Sequence, residues 1–423
     1  MLKGFVSLML ITQAPKGTED LLPSQSYRWH YLERKFKNVC DCFGYREIRL
    51  PTFEHTELFE RGVGDTTDVV QKQMYTFNDK GGRSVTLRPE GTSSVVRAFL
   101  QHNLYTEPMP LKTFYNVSCF RYENKQKGRL REFHQFGVEA FGSNGPSIDA
   151  EIVNLALTFL NDVGLSDLSV NINSIGCPKC RHKYKEALKE FLKPNLDKLC
   201  TTCQERFERN PLRILDCKSD ICQGFAKGAP VLLDYICDDC KVHFDGFKKN
   251  LDLLDIKYTI DSGIVRGLDY YSKTVFEIIS GPFTVCGGGR YDGLVEECGG
   301  DPTPGIGFGL GIERLLIRLD ELGVNILDDE CLDLYIVPLG DAAYEYSYKL
   351  VNTLRKVGIR VDTDHMMRGL KPQMKYANKI ACKYTIVLGD TEIDTQIVKI
   401  KDMQSGEISE IHIDKISEFI KGL

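Results

Sequence analysis

This chain has no global basic field, no membrane-length apolar run, no internal repeat and no spacing that suggests a Ser/His/Asp triad. Over 423 residues, 54 Lys and Arg stand against 59 Asp and Glu, a net charge of −5. A nucleic-acid partner would therefore have to be held by local basic patches. The first eleven residues, MLKGFVSLMLI, are mildly apolar but too short to cross a bilayer. With Lys3 as their only basic residue and no clear small-residue cleavage site, they make a poor secretory signal. The eight histidines are scattered without ligand spacing, so a histidine-rich metal centre is not indicated.

A hydrophobic content of 42% and a charged content of 27% fit a globular chain, and the length allows two or three domains, each with its own core. Fifteen cysteines without a secretory signal point to a reducing cytosol and to free thiols or metal ligands. Six of them form three CxxC pairs, Cys177/Cys180, Cys200/Cys203 and Cys237/Cys240, with Cys217 and Cys222 between the second and third. Two converging pairs would make a tetrahedral thiolate zinc site. Buried free thiols and disulfides are the other two readings, and the helical pattern between the first two pairs leaves their convergence open.

The most informative stretch is residues 113–142, TFYNVSCFRYENKQKGRLREFHQFGVEAFG. Thr113 to Phe120 is rich in β-branched and aromatic residues, as strands are. The loop that follows carries Arg121, Lys125, Lys127, Arg129 and Arg131, with Gly128 free to take a turn. In the next strand the period of two puts Phe133, Gln135, Gly137 and Glu139 on one face, and His134, Phe136, Val138 and Ala140 on the other. The first face suits a binding floor and the second a core. Five cations beside such a floor suit a polyanion such as a nucleoside triphosphate.

Elsewhere, Ser24 can cap a helix carrying Tyr27, Tyr31, Phe36, Val39 and Phe43, ended by Gly44. Tyr45, Ile48 and Leu50 suggest a strand stopped by Pro51. In SVTLRPEGTSSVVRAFL a strand leads through Pro89–Gly91 into a helix capped by Thr92 or Ser93. Glu90 and Thr92 then face whatever sits at that helix start, where a glutamate suits an ammonium group better than a phosphate. CGGGRY implies close backbone approach to a ligand or another strand. PGIGFGLGIER reads as a glycine-spaced strand running into a helix that begins near Arg314. From Asp333 strands alternate with helices, as in a small α/β domain.

FRYEN, the basic loop and REFHQFGVE resemble the second signature motif of class II aminoacyl-tRNA synthetases, and RGLDYY resembles the histidine motif of the histidyl-tRNA synthetase family. The likeness extends over essentially the whole chain. It implies an α+β catalytic domain built on an antiparallel sheet, with an inserted helical domain and a C-terminal α/β anticodon-binding domain. The expected boundaries are an N-terminal extension at 1–12, the catalytic domain at 13–325 with its insert at about 177–261, a linker at 326–332, and the anticodon domain at 333–423. Chains of the family typically begin near Met9, so the first eight residues read as an upstream start. The stretch from Tyr45 to Pro51 resembles the first class II motif, which implies a homodimer.

The implied reaction is ATP-dependent ligation of L-histidine to tRNA(His) through a histidyl-adenylate, with Mg2+ accompanying the ATP, in the cytoplasm and with no membrane partner. No nucleophilic side chain is required, because the amino acid carboxylate attacks the α-phosphorus itself. The resemblance assigns Arg121 and Arg266 to opposite sides of the α-phosphate. It assigns Glu123 to the adenosine end, Arg129 to the distal phosphates, Phe133 to the adenine face and Arg314 to the nucleotide and its tail. For histidine, Glu90, Gly91, Thr92 and Gln135 would hold the ammonium end. Glu139 and Tyr271 would read the imidazole nitrogens, with Tyr270 and Tyr291 lining the pocket. Asn124–Lys125 depart from the Arg-Pro of many members, leaving the ATP roles intact and affecting loop stiffness and acceptor contacts. A non-catalytic paralogue of the same fold, a regulatory subunit of ATP phosphoribosyltransferase, would lack a counterpart of 333–423 and tend to lose the arginines retained here.

Overall fold

A computed structural model describes residues 13–64, 67, 69–124, 126–215, 217, 219–264, 268–327 and 331–422. The expected N-terminal extension, Lys125 and Arg266 lie outside the described residues. The chain divides into two compact units, one ending at Asn325 and the other beginning at Ile326.

The first unit is built on an eight-stranded sheet. From one edge its strands are Arg46–Glu47, Leu111–Phe120, Glu132–Phe141, Gly305–Gly311, Phe283–Arg290, Ser272–Ser280, Leu168–Ser174 and Thr259–Ile260. The two outermost pairs are parallel and the five inner ones antiparallel. The period-two reading of the strand after the basic loop describes its two faces. Phe136, on the core face, stacks on Phe36 with centroids 4.4 Å apart, and both rings meet Phe159 edge-on. Helices Pro23–Cys42 and Pro146–Asp162 thus cover that side of the sheet. The opposite face carries Phe133, Gln135 and Glu139.

Three local details differ from the sequence expectation. The first helix starts with Pro23 at its first turn and Leu22 as its N-cap residue, so Ser24 lies inside it; proline needs no N–H partner there. Only Arg46–Glu47 of the Tyr45–Leu50 stretch is strand, although the Ile48 N–H still donates to the Phe114 carbonyl. The helix Thr92–Gln101 is capped by the Glu90 carboxylate, not by Thr92 or Ser93: its oxygens accept the Thr92 and Ser93 N–H groups at 2.7 and 2.9 Å. A carboxylate facing the positive end of a helix is favourable.

The cysteine-rich stretch folds as helices Pro178–Leu192, Thr201–Arg209, Asp220–Ala226 and Asp238–Leu253, with Tyr184, Leu188, Leu192, Cys203, Phe207 and Leu232 in their core. The last of these helices is tied to the sheet layer by His243, whose Nε2 lies 2.8 Å from Asp149 Oδ2. Asp149 also meets Arg290, with Arg290 Nη2 to Oδ1 at 2.6 Å, and both side chains are fully buried.

In the second unit five strands run in the order Val361–Thr363, Leu334–Pro338, Tyr384–Leu388, Ile397–Asp402, Ile408–His412. The first three are mutually parallel, with helices Asp341–Lys356 and Leu370–Lys379 as crossovers, and the last two form the closing hairpin.

Candidate active site

On the face of the sheet away from those two covering helices lies a cavity of about 380 Å³. Its wall brings together groups from widely separated segments. Glu90 and Thr92 come from the strand-to-helix turn, Arg121, Glu123 and Arg129 from the basic loop, and Phe133 and Gln135 from the next strand. Tyr270, Tyr271 and Arg314 line it as well. The chemistry divides: one group is rich in carboxylate, amide and phenol, while the other holds three guanidinium groups.

Two of the three arginines are aimed by backbone carbonyls. Arg121 donates from Nε to the Pro89 carbonyl at 2.8 Å, and its guanidinium lies 5.4 Å from the Phe133 ring centroid. Arg314 donates to the Gly128 carbonyl at 3.2 Å, which ties the tip of the basic loop to the start of helix Ile312–Glu321. Burial and the neighbouring charge of Arg129 depress the Arg314 pKa. Arg129 itself lies 3.5 Å from Glu123. Arg88, close by in LRPEG, is structural: it donates to the Ser118, Leu50 and Pro51 carbonyls.

Glu139 and Tyr291 stand one layer behind the wall. Glu139 is fully buried; its Oε1 accepts from Thr92 Oγ1 at 2.7 Å and Tyr115 OH at 3.1 Å, and its Oε2 from Tyr291 OH at 2.5 Å. Room for these side chains comes from the glycine-spaced strand. A Cβ on Gly307 would lie 1.8 Å from Glu139 Oε2, and one on Gly309 would lie 1.9 Å from Gln135 Nε2. Those glycines are spaces for the two polar side chains. The triple glycine, by contrast, meets another strand at Gly288, where a Cβ would lie 2.2 Å from the Gly307 carbonyl oxygen.

Burial pushes the Glu139 carboxyl from 4.5 up to about 8, held back by the hydroxyls of Tyr291, Thr92 and Tyr115. Below about pH 4.3 the group is protonated whether the chain is folded or not. Between there and 8 only the folded state keeps the proton, so stability falls as pH rises through that window and is level above it. Glu139→Gln removes this dependence. The melting temperature of the variant relative to the parent should therefore climb from about pH 5 to about pH 8. A difference independent of pH would show that Glu139 ionises normally.

Sequence reading missed two carboxylates of the cavity wall, Glu277 and Glu313. Glu277 lies on strand Ser272–Ser280 and accepts from Thr284 Oγ1 at 3.3 Å. Glu313 adjoins Arg314 and accepts the His134 N–H at 2.8 Å, a pairing visible only once the helix is docked on the strand.

The histidyl-tRNA synthetase family model matches residues 17–179 and 241–315, and an anticodon-binding domain model matches 333–423. The chain is 55% identical to the histidine–tRNA ligase of Acetivibrio thermocellus over 97% of its length and all of the relative's. It is 57% identical to that of Clostridium perfringens, covering 96% of this chain and 98% of the other. Its fold is similar to the apo histidyl-tRNA synthetase of S. aureus, with a TM-score of 0.83 at 40% identity, covering 97% of this chain and 99% of that one.

Proposed function

This chain belongs to the histidyl-tRNA synthetase family, and on that premise we propose how its residues divide the work of joining L-histidine to tRNA(His) through a histidyl-adenylate. It is a histidine–tRNA ligase that consumes ATP and releases AMP and diphosphate. The observation that carries the assignment of roles is that one cavity wall brings Glu90, Thr92, Gln135, Tyr270 and Tyr271 together with Arg121, Arg129 and Arg314.

Histidine lies with its ammonium against Glu90, Thr92 and Gln135. The Glu90 oxygens already accept two backbone N–H groups, and a carboxylate has about four lone-pair sites, so room for an ammonium remains. Gly91 leaves space for the Tyr115 ring, which a Cβ there would approach to 2.4 Å. Once ionised, Glu139, which receives three hydroxyls, has by the same count about one site left for an imidazole N–H, with Tyr271 at the other nitrogen. Tyr270 and Tyr291 pack around the ring. A side chain without those two nitrogens leaves buried polar groups unpaired, which is the basis of selectivity.

ATP takes the guanidinium group. Arg121 neutralises the charge that grows on the α-phosphate as the histidine carboxylate attacks in line and diphosphate leaves. Arg266, assigned by its place in RGLDYY, does so from the other side. Glu123 holds the adenosine end, Phe133 packs on the base, and Arg129 and Arg314 hold the phosphate tail. Glu277 and Glu313 would supply oxygen ligands to a Mg2+ ion that offsets the phosphate charge.

Residues 333–423 read the anticodon arm. A homodimer is part of the proposal, supported by an apolar groove beside the Arg46–Glu47 sheet edge that includes Leu50, Pro51, Phe53, Leu104 and Leu111. A cytoplasmic location is also proposed; among the described residues no helix is long and apolar enough to cross a membrane. Zinc, if bound in the cysteine-rich insert, takes no part in adenylation, since none of its eight cysteines lines the cavity.

ATP–pyrophosphate exchange with each amino acid in turn tests the reading. Exchange with histidine alone is expected, and exchange with none, from folded protein, overturns it.

A further inference from the structure

Outside the substrate cavity, the described residues contain two groups of four metal-ligating side chains. Cys177, Cys180, Cys237 and Cys240 form one, and Cys200, Cys203, Cys217 and Cys222 the other; within each, all sulfurs lie within 4.8 Å of one another. The pairing is not the one their order along the chain suggests. The first CxxC meets the third, and the second meets the two cysteines between them.

The distances have a specific meaning. A tetrahedral zinc with bonds of about 2.3 Å holds its sulfurs about 3.8 Å apart. In the first group Cys177 lies 3.5 Å from Cys180 and 4.0 Å from Cys237, and Cys180 lies 3.8 Å from Cys240. In the second, Cys200 lies 3.9 Å from Cys217. Backbone amides already point at sulfur, as they do around metal thiolates: Cys237 N–H donates to Cys180 Sγ at 3.1 Å and Cys200 N–H to Cys222 Sγ at 3.3 Å. In all three CxxC pairs the first cysteine is a helix N-cap and the second lies in that helix's first turn, where the helix dipole favours thiolate. Thiols that stayed protonated would gain only weak S–H bonds from such convergence.

We propose that this chain carries two structural zinc ions, each held by four cysteine sulfurs, and that together they brace the loop that presents Tyr270 and Tyr271 to the substrate cavity. The bracing runs through three side chains. Arg181, directly after Cys180, donates to the Tyr271 carbonyl at 3.0 Å and the Asp269 carbonyl at 3.4 Å. Asn210 and Arg213, in the segment between Cys203 and Cys217, reach Asp269 Oδ1 at 3.1 and 3.3 Å. Each cluster therefore fixes a segment whose donors end on residues 269–271. The metal assignment stands apart from the substrate roles above; only its effect on histidine binding rests on them.

Elemental analysis of the full chain, purified from zinc-replete cells without chelator, should find about two zinc ions per chain. Cys177→Ser/Cys180→Ser and Cys217→Ser/Cys222→Ser should each leave one. Should those variants fail to fold, cobalt titration of the stripped parent protein replaces them, with tetrahedral thiolate bands that saturate at two equivalents. Metal far below one equivalent with all eight thiols open to titration, disulfides on non-reducing mass analysis, or iron in place of zinc would overturn the assignment. Arg181→Ala should keep both zinc ions and raise the histidine KM about tenfold with the ATP KM unchanged. Full zinc content with no change in the histidine KM would refute the bracing while leaving the metal sites in place.

Discussion

Arg121→Ala should lower histidine-dependent ATP–pyrophosphate exchange by roughly 10²–10³-fold, the usual effect of removing one preorganised donor from a developing charge. The fall should be in kcat, with little change in the histidine KM, because the attacking carboxylate and the phosphate need Arg121 most at the transition state. The fold should survive. Among the described residues Arg121 donates to the Pro89 carbonyl and packs on the Phe133 ring, whereas the buried Arg88 beside it makes three carbonyl contacts and is the structural member of the pair. Arg121→Lys should recover little, since an ammonium cannot keep the Pro89 contact and meet phosphate as a fork. A drop in melting temperature that accounts for the lost activity would sink the assignment.

The largest effect on stability should come from Asp149→Ala, a loss of about 3–5 kcal/mol, read by urea unfolding. Asp149 has no exposure and is the shared partner of Arg290, also fully buried, and His243. Burial alone would raise its pKa, and the His243 and Arg290 contacts overcome that, holding the carboxyl below its ordinary value. Removing it leaves the Arg290 guanidinium in the core with the Ser143 and Gly145 carbonyls and Asp292 as partners. It also removes the bond by which His243 ties helix Asp238–Leu253 to helix Pro146–Asp162. The measured cost should shrink when Arg290→Met is added, because the double variant no longer buries a guanidinium that has lost its buried carboxylate partner. Equal destabilisation by the single and double variants would mean that packing, not charge, sets the effect.

Much of the site could be read before any coordinates. Period two separated Gln135 and Glu139 from Phe136 and Val138, because a strand admits no other arrangement of alternate side chains. The cation-rich loop and the strand-to-helix turn at Glu90 were local patterns, and the cavity wall includes both. What local pattern could not supply was depth and partnership. Glu139 sits behind the wall with three hydroxyls on it, because Gly307 leaves space that only strand pairing reveals. Glu90 is also the cap of its helix, a role decided by where a carboxylate two residues upstream can reach.

The sequence by itself determined the strand, basic loop and strand of residues 113–142, the two faces of the second of those strands, the α/β character after Asp333 and the presence of three CxxC pairs. These follow from periodicity and local stereochemistry, which act over a few residues. The tertiary structure decided which cysteines meet, which arginine is buried with Asp149, and that Glu277 and Glu313 face the substrate cavity. Each of those joins residues far apart in the chain, and a contact of that kind is fixed by the packing of helices on a sheet rather than by the residues on either side of it.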